Sequence, residues 1–117
     1  MRMQEIDFGA GQPVEGYGPG FFRVGGEAHQ APLLIVPGQV LSWGGYEDVE
    51  ALTALAGRVD VLFIGTGGEI APLPGGLRAA LEEAGLGVEI MASPAACRTY
   101  NVLLAEGRRI AVALLPV

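Results

Sequence analysis

The chain contains no lysine. Its seven basic side chains are all arginine: Arg2, Arg23, Arg58, Arg78, Arg98, Arg108 and Arg109. Lysine Schiff-base chemistry, a Walker-type phosphate lysine and a lysine general base are thereby excluded. Cysteine and histidine occur once each, as Cys97 and His29. A single thiol makes no intrachain disulfide, and the pair falls short of the about four ligands a zinc site takes. No cofactor or metal is expected. Long hydrophobic runs are also missing. The longest, Ile110 to Val117, is strand-sized and far below the ~20 residues of a membrane-spanning helix. The first seven residues, MRMQEID, hold no apolar region of signal-peptide type. A soluble cytoplasmic protein is expected. Positive charge is scarce overall: the formal net charge is −6. Phosphate backbones are repelled by such a chain, and no nucleic-acid partner is expected.

What is present is apolar material arranged in short segments. Half of the residues are hydrophobic and 17% are charged, which excludes intrinsic disorder. The length suits one domain, residues 1–117, with one core. Ile6 and Phe8 alternate with Glu5 and Asp7 as in a half-buried strand. Gly9 to Gly20 contains five glycines and two prolines and reads as loop. Phe21–Val24 and Glu27–Gln30 flank Gly25-Gly26, a hairpin signal. Leu33–Val36 is a buried strand stopped by Pro37-Gly38, with Trp43 in the loop that follows.

The remainder alternates helix and strand. A first helix is expected from about Glu47-Asp48, with Val49, Leu52, Leu55 and Ala56 on one face and Gly57 past its end. Val61–Ile64 is the best candidate for the central strand, because four consecutive apolar residues imply cover on both faces. A second helix follows near Pro74, with Leu77, Leu81 and Ala84 inward and Gly85 as its stop. Val88–Ile90 is a short strand. The third helix starts at Ser93 as N-cap and Pro94 as first residue, and Gly107 ends it. A last buried strand runs from Ile110 to Leu115. Alternation of this kind favours a parallel or mixed sheet covered by helices, here α/β with an added N-terminal hairpin.

Two segments carry candidate chemistry. Gly65-Thr66-Gly67 ends the central strand, where α/β sheets form crevices. The dinucleotide fingerprint fails, since Ile70 stands at its third glycine position. The turn therefore reads first as a tight bend needing positive φ, and second as a site for a small anionic ligand. Around the start of the third helix, Ser93, Arg98, Thr99 and Asn101 supply polar groups. Placing that helix start against the glycine turn makes a cleft between them. Ser93 reads first as a plain cap, and Asn101 as a bond to a neighbouring loop. On a helical wheel Ala96, Cys97, Tyr100, Leu103 and Leu104 share one ~120° arc, the core face. Cys97 is then a buried structural thiol, or a reactive thiol if the helix dipole and Arg98 lower its pKa. His29 reads as exposed and inert. Trp43 reads as packing, or as an anchor for a partner.

Trp43, the segment Asp60-Val-Leu-Phe-Ile-Gly-Thr-Gly67 and the segment Met91-Ala-Ser-Pro-Ala-Ala-Cys-Arg-Thr-Tyr-Asn-Val-Leu-Leu-Ala-Glu-Gly-Arg108 together resemble a known family. It is a family of small conserved proteins of unassigned activity that includes the mitochondrial respiratory complex I assembly factor 3 and the adipogenesis-associated domain protein. Ser93 stands where that pattern has threonine and keeps its hydroxyl. The resemblance implies a three-layer α/β fold: a central mixed sheet of about five strands flanked by helices, an additional N-terminal β-hairpin element, and a final strand antiparallel to its neighbours. It supplies no catalytic residue. It implies a non-catalytic interaction protein with protein partners, assisting assembly or biogenesis of a membrane-associated, respiratory-type complex, with peripheral association to that complex. A small-anion binder or enzyme using the cleft between Gly65–Gly67 and the helix at Ser93 is the alternative. Oligomeric state is left open.

Overall fold

A computed structural model of the protein describes residues 12–117. The strand expected around Ile6 and Phe8 lies outside the described residues. Eight strands and three α-helices follow in order: β1 (Val14–Gly18), β2 (Phe21–Val24), β3 (Glu27–Gln30), β4 (Leu33–Val36), β5 (Gln39–Ser42), α1 (Val49–Thr53), β6 (Val61–Gly65), α2 (Leu77–Glu83), β7 (Gly87–Met91), α3 (Ser93–Ala105) and β8 (Ile110–Leu114). β1–β3 form a small antiparallel sheet, and the other five form a mixed sheet in the order β5-β4-β8-β6-β7.

Strand alternation divides the core. Leu34 and Val36 of β4, Leu62 and Ile64 of β6, and Ala111 and Ala113 of β8 face one side, with Trp43, Leu52 of α1, and Leu77 and Leu81 of α2. Their neighbours Leu33, Ile35, Phe63, Ile110, Val112 and Leu114 face the other side. There they meet Ala96, Cys97, Tyr100 and Leu104 of α3, and Val14, Phe22 and Val24 of the small sheet. The layers are thus α1 and α2, the mixed sheet, and α3 with the small sheet. Period-two alternation in the strands and the apolar stripe of α3 account for this sorting.

The placement of α2 and α3 on opposite faces follows from topology. β6 is parallel to β7 on one side and to β8 on the other. The β6–α2–β7 and β7–α3–β8 connections therefore run in opposite directions along the sheet. Right-handed crossovers in opposite directions need opposite faces.

Four expectations change. The Gly9–Gly20 loop contains β1, because Gly16, Tyr17 and Gly18 pair with Arg23, Phe22 and Phe21. Phe21 lies over Gly18, where a Cβ would come within 2.5 Å of its ring; glycine in this strand makes room for an aromatic rather than breaking the strand. Pro37-Gly38 stops β4 as expected, but it also turns the chain into a strand the reading lacks, β5, with Gly38 at φ 80°. The middle strand is β8, wholly buried, and β6 is its neighbour. Finally, β8 is antiparallel to β4 but parallel to β6, since the α3 crossover returns the chain in the direction of β6. The positive φ expected after helices is present at Gly57, Gly85 and Gly107, at 83°, 101° and 78°. No helix among the described residues is long and apolar enough to cross a membrane.

Candidate functional site

Adjacent strands β6 and β7 end side by side, and their chains leave for opposite faces of the sheet. In open α/β sheets that switch point opens a crevice. The helix start does meet the glycine turn here, but the space between them is occupied by protein. Ser93 N–H donates to Gly67 O at 2.7 Å. Gly67 N–H donates to Ser93 Oγ at 2.9 Å, and Ser93 Oγ–H donates to Leu115 O at 2.8 Å. Thr66 N–H donates to Met91 O at 2.8 Å, and Leu115 N–H to Gly65 O at 2.9 Å. The ends of β6, β7 and β8 and the start of α3 are therefore bonded into one knot. Ser93 has no exposed surface.

Glycine at position 65 is dictated by this closeness. A Cβ there would lie 2.7 Å from Ser93 Oγ and 2.8 Å from Ser93 Cα. Gly67 has φ 106°, so the tight bend that needs positive φ is present. Ser93 is the first residue of α3, and no side chain caps the helix. Its hydroxyl reaches across the chain rather than along the helix, which corrects the plain-cap reading. The donors of the first turn are also largely committed: Ser93 and Ala96 bond Gly67 O and Ala92 O, and Pro94 has no N–H.

The structure brings Gly65, Thr66, Gly67 and Ser93 together and puts the remaining candidates elsewhere. Arg98 and Thr99 line a shallow depression of about 250 Å3 with Val102 and Leu103, on the outer side of α3. Asn101 holds β1: its Oδ1 accepts from Val14 N–H at 2.8 Å and its Nδ2 donates to Val14 O at 2.7 Å. The segment it grips is the one read as loop. Tyr100 is fully buried and donates its hydroxyl to Gln12 O at 3.2 Å. Burial pushes its phenol above the usual range.

Cys97 is 5% exposed. Burial pushes its thiol up to about 12, and the Arg98 charge pulls the other way by less. Desolvation outweighs the helix dipole, so the group is a neutral thiol at physiological pH. His29 sits in β3, half-buried rather than exposed, with Nε2 3.9 Å from Glu27 Oε2. Trp43 is 4% exposed and donates Nε1–H to Asp48 O at 3.2 Å. Tyr46 meets it edge-on at 6.0 Å.

Sequence reasoning missed a concave surface beside β7. Two adjoining depressions of about 450 and 470 Å3 lie between β7, α2 and the loop 70–76, and share Pro72, Arg78 and Ile90. The available signal was the long Pro-Leu-Pro-Gly-Gly approach to α2. A helix that starts so late leaves a loop beside the sheet edge.

Residues 14–115 match the family model described as protein of unknown function (DUF498/DUF598). An uncharacterized protein of Rhodobacter capsulatus is 49% identical over 117 residues, covering 100% of this chain and 94% of the relative. The NADH dehydrogenase [ubiquinone] 1 alpha subcomplex assembly factor 3 of Danio rerio is 33% identical, over 99% of this chain and 71% of that protein. Its human counterpart is 28% identical, and the match spans 60% of its length. Among solved structures, a Bartonella henselae chain described as an outer membrane protein superposes with TM-score 0.82 at 34% identity, covering 92% of this chain and 97% of that one. A Bordetella pertussis protein described as an Mth938-like domain gives TM-score 0.78 at 31% identity, over 99% and 92%. The chain belongs to the DUF498/DUF598 family of proteins of unknown function.

Proposed function

We propose that the protein is a non-catalytic interaction protein that assists assembly of a membrane-associated, respiratory-type complex from the cytoplasmic side. The observation that carries this reading is the similarity to the zebrafish assembly factor across 99% of the chain. The polar groups at the switch point support it, because they bond to one another and none is aimed at an open cleft. Cys97 supports it as well: a thiol held near 12 is a poor nucleophile at neutral pH. Such a protein acts through its surface, by protein partners.

The test is affinity capture of the tagged chain from its own cells in mild detergent, paired with native gels of a deletion strain. Enrichment of NADH dehydrogenase subunits and loss of the assembled complex are expected. Recovery at control level with normal complex would overturn the reading.

A small-anion binder is the second reading. Its support is the depression at Arg98 and Thr99, where an exposed guanidinium borders apolar walls. A ligand at 100 times its dissociation constant would stabilise the chain by about 2.7 kcal/mol. A panel of anionic metabolites giving no thermal shift would remove this reading.

A further inference from the structure

Backbone polarity alternates along β7. Gly87 N–H donates to Asp60 O at 3.0 Å, and Met91 O accepts from Thr66 N–H at 2.8 Å. Residues 87, 89 and 91 therefore turn their peptide groups toward β6, and Val88 and Ile90 turn theirs outward. Val88 obeys this parity: its outward carbonyl accepts from Arg78 Nη2 at 3.0 Å. Ile90 has no such partner. None of the loop, turn or side-chain hydrogen bonds among the described residues reaches its N–H or C=O.

The neighbouring loop does not fill this edge. Pro72 and Pro74 bring no N–H donors to a ladder. Thr66 Oγ1 ties the loop to the end of β6 instead, accepting from Ala71 N–H at 3.1 Å and donating to Glu69 O at 2.7 Å. The result is the double depression, running beside an unpaired edge. Its charged groups are Arg78, Glu82 and Glu89. Arg78 Nε pairs with Glu82 Oε2 at 3.3 Å. No ion pair among the described residues engages Glu89. The trough is net negative, on a chain of net charge −6.

The geometry points to β7 as a docking edge for an extended, basic segment of a partner protein, which adds a strand at Ile90 and sets a lysine or arginine against Glu89. Main-chain bonds along the edge supply affinity, and the carboxylate supplies orientation and register. Arg78 is the guard of this edge. Its bond to Val88 O blunts the strand against indiscriminate pairing, and its release would lengthen the ladder. This inference rests on the interaction reading and names the face that reading uses.

The test titrates the full chain with two soluble probes, a seven-residue peptide alternating valine with lysine and one alternating valine with glutamate, followed by backbone amide shifts. The lysine probe is expected to shift Val88, Ile90 and Ile70 saturably, and the glutamate probe to bind about tenfold more weakly. Glu89→Lys should weaken the lysine probe by a similar factor, and Arg78→Ala should tighten it. Shifts centred on another edge, equal binding of both probes, indifference to Glu89→Lys, or self-pairing of the chain through β7 would each overturn the proposal. Captured NADH dehydrogenase subunits unaffected by Glu89→Lys would remove the docking edge and keep the assembly reading. Probe binding at β7 without any captured subunit would do the reverse.

Discussion

At the carboxyl end of β6 the polar groups are answered from within the chain; on the outer edge of β7, a strand away, Arg78 answers Val88 O, and the Ile90 peptide groups have no partner among the described residues. Gly67, Ser93 and Leu115 close on one another through bonds of 2.7 to 2.9 Å. Ile90 and Glu89 line a trough beside that edge. Both regions lie on the same parallel strand pair. What separates them is where the next element goes. The start of α3 is pressed against the β6 turn, whereas the approach to α2 is a proline-interrupted loop that stands off from β7. A crevice position in an α/β sheet is thus no guarantee of a site, and the concave surface can lie beside an edge strand instead.

The comparison is broken most severely by filling the closed junction. Gly65→Ala places a methyl group against the backbone of Ser93, and a loss of about 3 kcal/mol is expected in denaturant unfolding. Ser93→Ala leaves the buried Gly67 N–H and the part-buried Leu115 O without their partner, for about 2 kcal/mol and a fall in Tm of roughly 10 °C. Asn101→Ala frees β1 from α3 at about 1 to 2 kcal/mol, and exchange of the Val14 amide should quicken with it. On the open side, Arg78→Ala removes one exposed ion pair and one edge bond, and a change of only about 0.5 to 1 kcal/mol is expected. Equal losses at Ser93 and Arg78 would erase the distinction between the two regions.

The buried thiol sharpens the same contrast through pH. Cys97 is raised from 9.0 to about 12 by burial, so between those values the unfolded chain loses a proton that the folded chain keeps. Stability must then fall as pH rises from about 9 toward 12. Tyr100 is shifted in the same direction by the same cause and adds to the fall above about 10. Cys97→Ala together with Tyr100→Phe should flatten the alkaline limb of a Tm-against-pH curve. Alkylation of folded Cys97 at pH 8 should be about a thousandfold slower than of a free thiol, given its residual thiolate.

Much of the fold was legible because apolar runs and terminal glycines report local geometry. Leu33–Val36, Val61–Ile64 and Ile110–Leu115 became β4, β6 and β8, and the amino end of α3 does meet the glycine turn. β1 and β5 were not legible, since glycine at 16 and 18 and the polar face of Gln39–Ser42 conceal strand pairing behind turn-like composition. In the candidate site, adjacency could be read and openness could not. Ser93 stands one residue inside the N-cap position, which Ala92 holds, so its hydroxyl crosses to Gly67 and Leu115; a one-residue shift of a helix start is not written in the sequence. The β7 trough was hinted at only by the Pro-Leu-Pro-Gly-Gly loop before α2; the unpaired backbone beside it has no residue signature of its own.

Native-state amide hydrogen exchange compares the two regions in a single experiment. The Gly67 and Ser93 amides should exchange only with global unfolding, and the Ile90 amide far faster than the neighbouring Glu89 amide directed at β6. Rapid exchange at Gly67, or full protection of Ile90 in the isolated chain, would contradict this expectation.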